Sequence, residues 1–356
     1  MNILVVCKLL DHTLRENVLL PLLSSRSVSR IYVLRDSKAE DVGERVIYLC
    51  PQQISSGKFR HVTKILRGIK AVHKYQIDAI IGVLNTPHGF IGRTIAIFTN
   101  TPYIHMTIAG HREYWVDGPW LERINIRAFG SGAAITVTGS QTKQYLEKKG
   151  INGKMVFTLP NLPNEAFTKV EHNEVRHYDI VSFSRIDLNK NLILLIRALA
   201  KIKKMYQPKV AIAGDGDQLE NIKKAAHDFG VDRMIDFLGF VKGFDNKVKL
   251  LSDSKIFISC SKGEGFPVSL LEAMNCGCVP VVSNVGDIVD VINNDVNGYV
   301  FDDFDDETEF TELLMKLLAN NDKITAMRQE AYKISNDISV ANNGKVWDKV
   351  FDYIKQ

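Results

Sequence analysis

The sequence is poor in cysteine. Its 356 residues include five, at Cys7, Cys50, Cys260, Cys276 and Cys278, and none of them forms a C-x-x-C pair. Scattered cysteines in an odd number disfavour both a disulfide framework and a zinc site. We therefore expect reduced thiols in a reducing compartment.

Long apolar runs are also missing. No stretch approaches the roughly 20 apolar residues of a membrane-spanning helix. The opening run, MNILVVCKLL, is too short for a signal peptide and lacks a basic segment and a cleavage site. We expect a cytoplasmic protein that does not span a membrane.

No glycine follows the first apolar segment. That stretch reads VVCKLLDHTLREN, whereas a dinucleotide-dependent dehydrogenase carries G-x-G-x-x-G at this place. The absence excludes that class of enzyme.

Acidic residues are scarce in the first part of the chain. Residues 1–165 contain 21 Lys and Arg against 12 Asp and Glu, a net charge of +9, and the remaining residues contain 24 against 29, a net charge of −5. A basic first half indicates an anionic partner, such as a membrane surface or a phosphorylated substrate. Because no recognised nucleic-acid-binding motif is present, we do not expect nucleic acid as that partner.

Short apolar runs alternate with helical segments along the chain, which predicts parallel βαβ units. Before a boundary at residues 161–167, we predict strands at 2–7, 31–34, 46–50, 79–84, 103–108 and 133–139, and helices at 58–75 and 141–150. After it, we predict strands at 178–184, 209–216, 234–241, 255–260, 279–284 and 298–301, helices at 191–205 and 218–230, and mostly helix over 307–355. The pattern predicts two doubly wound α/β domains, with ligands bound beyond the carboxyl ends of the strands, in the cleft between the domains.

The helix at 58–75 is predicted to be amphipathic. Its apolar residues recur at helical spacing, at Phe59, Val62, Leu66, Ile69 and Val72. Its basic residues are Lys58, Arg60, Lys64, Arg67, Lys70 and Lys74. This basic segment is either a solvated face or a surface that docks on an anionic membrane.

Two glutamates flank the start of another predicted helix, in the stretch GEGFPVSLLEAMNCGCVP at residues 263–280. Pro267 suits the first helical position, and free N–H groups of residues 266–269 would form an anion site. Glu264 lies just before this helix, and Glu272 lies inside it with its side chain directed back toward the N-terminus. A nucleoside diphosphate sugar would satisfy the helix start and both carboxylates. For an isolated pair of this spacing, a capping Glu264 and a half-exposed Glu272 is the simpler interpretation.

Two cations, Arg185 and Lys190, follow a predicted strand in SFSRIDLNKN and flank a short polar loop. This arrangement suits a diphosphate, whose charge both residues would neutralise. Taken alone, such a pair is more commonly two surface cations.

The segment AIAGDGDQLE places Gly214 and Gly216 directly after a strand. Glycines let the backbone turn tightly there. The motif is not G-x-G-x-x-G, so a simple turn is as good an interpretation as a nucleotide contact. Asp215 and Asp217 are interpreted as turn residues, and we expect no metal site.

These segments together resemble the retaining glycosyltransferases of family 4, the "group 1" family with the GT-B fold. The family pattern G-R-x-x-x-x-K-G, G-x-G-P and E-G-F-G-x-x-x-x-E-A-M-A-x-G-x-P-V-V is similar to SRIDLNKN, GDGD and EGFPVSLLEAMNCGCVPVV, in the same order and spacing. The resemblance implies two Rossmann-like domains facing across a cleft. It implies an acceptor-binding domain over 1–163, a nucleotide-sugar domain over 164–335, and a C-terminal helix over 336–356 that packs back on the first domain.

The resemblance also implies roles for particular residues. Arg185 and Lys190 would hold the donor diphosphate, Glu264 would contact the transferred sugar, and Glu272 would bind the ribose hydroxyls. His111 would face the cleft as a second catalytic residue, although a surface or capping role suits it equally. The other donor contacts would come from Gly214, Gly216, Gly239, Phe240, Val241, Gly265, Phe266, Pro267 and Val268.

The sequence departs from the family pattern in four places. One is at His111, which follows Gly110, whereas the family's cleft histidine precedes a glycine. Asn191 replaces the usual glycine after the lysine, Pro267 replaces the glycine after E-G-F, and the glycine-rich loop after the first strand is absent. Pro267 removes one amide donor from the phosphate cradle, and the missing loop removes an expected contact from the first domain.

The resemblance implies a retaining, metal-independent transferase that needs no cofactor beyond its UDP- or GDP-linked donor. Its acceptor would be a glycan or a lipid-linked glycan in cell-surface polysaccharide, lipopolysaccharide or glycolipid synthesis. The enzyme would then lie on the inner face of the cytoplasmic membrane. The alternatives are a nucleotide-sugar epimerase of GT-B fold, which would need further acid–base residues, and a non-catalytic nucleotide-sugar-binding protein, which would be expected to lose Glu264 or Lys190.

Overall fold

The computed structural model describes residues 1–50, 60–115, 118–168, 170 and 174–356. The chain divides into two compact units: unit 1 comprises Met1–Leu162 and Ile338–Gln356, and unit 2 comprises Pro163–Asp337. The divisions implied by the family resemblance fall at residues 163 and 335, beside these boundaries.

Unit 1 is built on a seven-stranded parallel sheet. Its strands are β1 (Asn2–Val6), β2 (Arg30–Leu34), β3 (Val46–Tyr48), β4 (Ala79–Val83), β5 (Tyr103–Met106), β6 (Ala134–Val137) and β7 (Val156–Thr158), in the spatial order β3-β2-β1-β4-β5-β6-β7. Alternate residues of β1 contribute to two apolar cores, with Ile3 and Val5 on one face of the sheet and Leu4 and Val6 on the other. A central parallel strand is buried on both faces, which explains its uninterrupted apolar sequence.

The helices of unit 1 are α1 (Asp11–Leu14), α2 (Leu20–Ser24), α3 (Arg60–Tyr75), α4 (Phe90–Thr99), α5 (Arg112–Trp115), α6 (Pro119–Gly130) and α7 (Ser140–Lys148). π-Helical turns occupy Arg15–Leu19 and Asn85–Gly89, and a 3₁₀ turn occupies Gly153–Met155 in unit 1. The 3₁₀ turns of unit 2 are Glu165–Phe167, Leu188–Lys190, Asp232–Met234 and Ile288–Asp290.

Unit 2 is built on a six-stranded parallel sheet. Its strands are β8 (Tyr178–Phe183), β9 (Val210–Ala213), β10 (Ile235–Gly239), β11 (Ser254–Ser259), β12 (Val279–Ser283) and β13 (Tyr299–Phe301), in the order β10-β9-β8-β11-β12-β13. Its helices are α8 (Ile193–Ile202), α9 (Leu219–Asp228), α10 (Phe244–Ser252), α11 (Val268–Asn275), α12 (Thr308–Leu318) and α13 (Asn321–Asp337). Both sheets therefore have the doubly wound order, and the predicted pair of α/β domains is confirmed.

The last helix, α14 (Val340–Ile354), is part of unit 1. Its Trp347 and Phe351 are fully buried in the same core as β1. Asp348 accepts hydrogen bonds from Ser25 Oγ (2.7 Å) and from the backbone N–H of Ser27 (3.2 Å). The helix is thus fixed to unit 1 by apolar packing and by a hydrogen-bonded carboxylate.

The orientation of α3 differs from the prediction. Val62 and Leu66 are 51% and 56% exposed, whereas Lys64 and Gly68 are buried. Gly68 lets α3 approach α4, since a Cβ at that position would lie 2.2 Å from Ile95 Cδ1. This close packing, together with an ion pair between Lys64 and Asp36, turns part of the apolar stripe to solvent. Lys58 and Phe59 lie outside the described residues.

All five cysteines are unpaired, and all but Cys50 are buried, as predicted for reduced thiols. No helix in the described ranges combines the length and the apolarity that crossing a bilayer requires.

Candidate functional site

The sheet of unit 2 brings two predicted segments together. Strand β8 pairs with β9 on one side and with β11 on the other, so the strand order reverses between β8 and β11. In doubly wound sheets, ligands bind beyond the carboxyl ends of the strands at this reversal. The loop with Arg185 and Lys190 follows β8, and the loop with Glu264 follows β11, so both lie at this position.

Lys190 and Glu264 form an ion pair across the two loops. Lys190 Nζ contacts Glu264 Oε1, and the two side chains are 19% and 20% exposed. The loops are also joined through Asn189, whose Nδ2 donates to the carbonyl of Gly263 (2.9 Å) and whose carbonyl accepts from the N–H of Lys262 (2.7 Å). The pair is therefore held in place by backbone contacts and remains partly accessible.

Asn191 has the backbone conformation that explains the first departure from the family pattern. Its φ is +49°, in the left-handed region, where glycine is favoured and asparagine is among the tolerated alternatives. Its Nδ2 donates to the carbonyl of Phe304 (2.8 Å). Asparagine thus replaces glycine here and adds a side-chain hydrogen bond.

Arg185 extends outward from the same loop. Its side chain is 76% exposed, and its Nε lies 2.6 Å from Asp187 Oδ2. Asp187 also accepts from the N–H of Lys190 through Oδ1 (3.1 Å) and so caps the turn that carries the lysine. Asp187 therefore orients both cations of the segment.

Gly214 and Gly216 pack against the Arg185 loop. A Cβ at Gly214 would lie 1.8 Å from the carbonyl oxygen of Ser184, and one at Gly216 would lie 2.1 Å from that of Ile186. The N–H of Gly214 is bonded to the carbonyl of Gly239 (2.8 Å). The two glycines shape the loop that carries Arg185, and the Gly214 amide is already committed to the sheet.

The start of α11 differs by one residue from the prediction. Pro267 has φ −73° and ψ 110°, and it is the N-cap rather than the first helical residue, because the helix begins at Val268. The N–H of Leu270 already donates to the carbonyl of Pro267 (3.1 Å). The N–H groups before it have no acceptor within the helix, so an anion can still bind there. Gly265 is supported from behind by Gly286 and Asp287, whose N–H donates to the carbonyl of Gly265 (2.8 Å). Phe266 is buried.

Glu272 lies inside α11 and is 7% exposed, so it is more buried than a half-exposed surface residue. In the described part of the chain, its carboxylate forms no recorded hydrogen bond or ion pair. Burial raises the pKa of Glu272 to about 7, and the positive charge of Lys247 opposes that rise. A buried carboxylate without protein partners is available for hydroxyl donors of a ligand.

Lys247 is a residue that sequence reasoning missed. It lies on α10 with its Nζ 5.2 Å from the ring centroid of Phe183 and 5.3 Å from that of Phe244, within cation–π distance of both. Lys247 stands in no motif, and α10 was not predicted, so the sequence offers no signal for it.

The end of β10 supplies the remaining predicted contacts. Gly239 has φ +64°, Phe240 is 66% exposed, and Val241 is partly buried. An exposed aromatic ring after a strand end is suited to stacking on a planar base.

His111 belongs to unit 1, in the loop that follows β5 and precedes α5. Its N–H donates to Thr142 Oγ1 (3.2 Å), and its ring lies 5.3 Å from that of Tyr145. The same loop is held by Glu113 Oε1, which accepts from the N–H groups of Ile108 (2.7 Å) and Ala109 (2.6 Å). The structure thus gives His111 a defined place within unit 1, and it is not among the residues that unit 2 brings together.

Across the described ranges, no group of three or more His, Cys, Asp and Glu side chains could hold a metal ion. Asp215 accepts from the N–H of Gly216 (2.8 Å), which is the contact of a turn residue.

Comparison with known proteins finds its family match in unit 2. Residues 164–334 match the family model described as "Glycosyl transferases group 1". An uncharacterized glycosyltransferase of Methanocaldococcus jannaschii is 36% identical over 119 residues, which are 33% of this chain and 30% of that protein. The poly(glycerol-phosphate) alpha-glucosyltransferase of Bacillus subtilis is 25% identical over 248 residues, 68% of this chain and 36% of that protein. The chain thus spans about a third of the length of these curated relatives.

A solved structure shows the same fold over nearly the whole chain. The crystal structure of Anabaena HepE in complex with UDP and glucose has a TM-score of 0.77 at 15% identity, and it covers 98% of this chain and 99% of that one. Neighbours of this kind are GT-B glycosyltransferases. Residues 164–334, most of unit 2, are thus similar to the group 1 glycosyl transferases.

Proposed function

We propose that the protein transfers a sugar from a nucleoside diphosphate sugar to a glycan or lipid-linked acceptor. The observation that carries this proposal is the set of residues around α11. The Lys190–Glu264 pair lies before its first turn, and the unpartnered carboxylate of Glu272 lies inside it. One ligand with a diphosphate and two sugars satisfies all three groups.

In the proposed reaction, Arg185, Lys190 and the first turn of α11 neutralise the donor diphosphate and stabilise the charge that develops on it as it leaves. Glu264 contacts the transferred sugar, and Glu272 accepts hydrogen bonds from the ribose hydroxyls. Phe240 lies beside the base. The bond between the anomeric carbon and the phosphate oxygen breaks, and a bond to the acceptor oxygen forms.

We propose that the anomeric configuration is retained, with attack on the face that the diphosphate leaves. The leaving phosphate then takes the proton of the acceptor hydroxyl, so no separate base is required. Glu264 acts by position and charge rather than as a nucleophile, because Lys190 already occupies one of its oxygens. His111 is proposed to assist from unit 1. Metal independence is part of the same proposal.

The donor can be identified by thermal shift with UDP, GDP, ADP and their sugars, since a ligand that binds only the folded state raises Tm. The HepE complex with UDP makes UDP the first candidate. Transfer from the best donor is then followed by NMR of the product anomer, with and without EDTA. Donor cleavage without transfer in the presence of acceptors, or an inverted product, would contradict the assignment. Epimerised nucleotide sugar would indicate the epimerase instead, and binding without reaction would indicate a non-catalytic protein.

We further propose that unit 1 docks on an anionic membrane surface through α3, which would place the protein on the inner face of the cytoplasmic membrane. Val62 and Leu66 are exposed on this helix, as are Lys70 and Lys74. Apolar side chains enter the interface and lysines attract anionic lipids. Flotation with phosphatidylglycerol vesicles should show binding that weakens with salt and in Leu66→Ser. Equal binding to neutral vesicles, or none, would reject this part of the proposal.

A further inference from the structure

Unit 1 has a cavity of about 770 Å³ on its α6 side. It is lined by Pro119, Trp120, Glu122, Arg123, Ile124, Ile126, Arg127 and Lys149. Its volume lies within the range of about 300–1,000 Å³ that small-molecule sites occupy. The proposed donor-binding residues all belong to unit 2, and none of them lines this cavity.

One face of α6 supplies most of the cavity. Trp120, Arg123, Ile124 and Arg127 follow the spacing i, i+3, i+4 and i+7, which places them in one row along the helix. The opposite side of the helix, with Phe129, is buried in unit 1. Trp120 is 71% exposed, so its indole ring presents a large aromatic surface that a ligand can cover.

The charge of the cavity is positive because its one acid is already neutralised. Glu122 Oε1 lies 2.5 Å from Lys149 Nζ and accepts a hydrogen bond from the Tyr145 hydroxyl. The hydrogen bonds from Lys149 and Tyr145 lower the pKa of Glu122. In the part of the chain that the structure describes, Arg123 and Arg127 have no ion-pair partner. Two unpaired guanidinium groups thus stand beside an exposed indole ring.

We propose that this cavity binds an acidic oligosaccharide segment of the acceptor. The indole face of Trp120 packs against the C–H face of a pyranose ring, and Arg123 and Arg127 bind carboxylates with two parallel N–H donors. The proposal rests on the proposed transferase function, since it names the chemistry of the acceptor.

The shape and charge of the cavity favour an acidic oligosaccharide over a membrane surface or a second copy of this chain, which can also bind exposed tryptophan and arginine. A membrane surface is flat and would leave a concave volume of about 770 Å³ unfilled. A second copy of this chain would need a self-complementary patch, whereas two unpaired arginines on a twofold axis would repel each other. A chain of sugar rings carrying carboxylates fills the cavity and pairs with its charge.

Isothermal titration calorimetry on the intact protein tests the proposal with two sugars. One is β-1,4-linked tetraglucuronate, and the other is cellotetraose, which has the same linkage but a hydroxymethyl group in place of each C6 carboxylate. Tetraglucuronate is expected to bind about tenfold more tightly or better, from charge-assisted hydrogen bonds. Trp120→Ala should weaken both sugars, whereas Arg123→Gln and Arg127→Gln should weaken only the acidic one. Lys148→Gln, an exposed lysine beside Lys149 that does not line the cavity, is the matched control and should change neither.

No binding of tetraglucuronate to the unaltered protein, or equal affinity in all variants, would overturn the proposal. So would a Trp120→Ala variant that loses vesicle binding or self-association while its sugar affinity is unchanged. A UDP titration on the same samples reports the donor site separately. Failure of the sugar titration with UDP binding intact therefore rejects only this inference. Sugar binding without binding of UDP, GDP or ADP would reject the proposed function, and the cavity would then be a sugar site but not an acceptor site.

Discussion

Each unit carries a lysine–carboxylate pair beyond the carboxyl ends of its strands, and the two pairs differ in how many partners they have. In unit 1, Lys64 Nζ lies 2.8 Å from Asp36 Oδ1 and 3.3 Å from His88 Nε2, and Arg60 binds the second oxygen of Asp36 (2.8 Å). In unit 2, within the residues that the structure describes, Lys190 and Glu264 have no side-chain partner besides each other.

The pKa shifts in the unit 1 cluster reflect its larger number of partners. Burial opposes ionisation of Asp36, but its contacts with Lys64 and Arg60 outweigh that effect and lower its pKa. Burial and the charge of Lys64 lower the pKa of His88 to about 4, so this histidine is neutral at physiological pH. The charges of the unit 1 cluster are paired within it, although Arg60 Nε is buried without a hydrogen-bond partner. The unit 2 pair is more exposed, and its remaining donors and acceptors are available to a ligand. The number of protein partners, rather than the charge, therefore distinguishes the structural pair in unit 1 from the candidate site in unit 2.

The largest expected effect is on the accessible pair. Glu264→Ala and Lys190→Ala should each lower the transfer rate by about 100-fold or more, because each removes a group that acts on the developing charge. Both variants should keep the Tm of the unaltered protein within a few degrees. Lys333→Ala, which removes an exposed lysine paired with Glu330 on α13, is the control. Full activity in Glu264→Ala or Lys190→Ala would show that the accessible pair is no more functional than the buried pair of unit 1.

The second prediction concerns the buried pair. Asp36→Asn leaves Lys64 and Arg60 without their counterion and should lower the free energy of unfolding by about 3 kcal/mol. UDP binding, a property of unit 2, should be unchanged below the unfolding transition. Urea unfolding followed by circular dichroism measures the first effect, and calorimetry measures the second. An unchanged urea midpoint would show that the cluster is not structural.

The third prediction uses pH. The folded-state pKa of Glu272 is about 7, above its ordinary 4.5, so the folded state holds the proton more tightly than the unfolded state. The free energy of unfolding should therefore fall as pH rises from about 4.5 to about 7. Glu272→Gln should be more stable than the unaltered protein at about pH 8, with the difference vanishing below about pH 4.5.

The Glu272→Gln substitution, which should stabilise the fold at about pH 8, should weaken donor binding. At about pH 8, Glu272→Gln should bind the nucleoside diphosphate about tenfold more weakly, because the ribose hydroxyls lose a charged acceptor. Lys247→Met removes the charge that opposes protonation of Glu272 and should move the pH midpoint of donor binding upward. A variant that gains stability without losing donor affinity would place the ribose elsewhere.

The smallest effect is expected at Asn191. Asn191→Ala places a residue with an ordinary Cβ at φ +49° and removes the hydrogen bond to Phe304. It should lower the free energy of unfolding by about 1–2 kcal/mol. Asn191→Gly loses the same hydrogen bond, but glycine adopts a positive φ without strain. This variant should therefore lower the free energy of unfolding by less than Asn191→Ala. Equal losses in the two variants would show that the left-handed backbone contributes nothing.

The sequence allowed unit 2 to be predicted more completely than unit 1. Around Lys190, Glu264 and Glu272, strands, loops and the helix start are local features with residues at fixed spacing, and the strand order alone brings them together. The role of Lys247 depends on where α10 packs, which no local pattern encodes. Helices α4 and α6 and strand β7 were not predicted. Neither helix has a side-chain N-cap hydrogen bond, and the strand is only three residues long.

The partial exposure of the apolar stripe of α3 has a similar cause. Its apolar spacing is real, but a close approach to α4 at Gly68 and a buried ion pair at Lys64 decided which side faces the core. Both depend on tertiary neighbours, Ile95 and Asp36, that are distant in sequence. The cavity at Trp120 escaped prediction for the same reason.

Helix α14 has a consequence for the order of synthesis. Because Trp347 and Phe351 complete the core of unit 1, that unit remains unfinished while the ribosome makes the whole of unit 2. Unit 2 is continuous in sequence and can fold as soon as it emerges, whereas unit 1 must wait with part of its apolar core uncovered. A premature stop near residue 338 would therefore damage the half of the protein that was translated first.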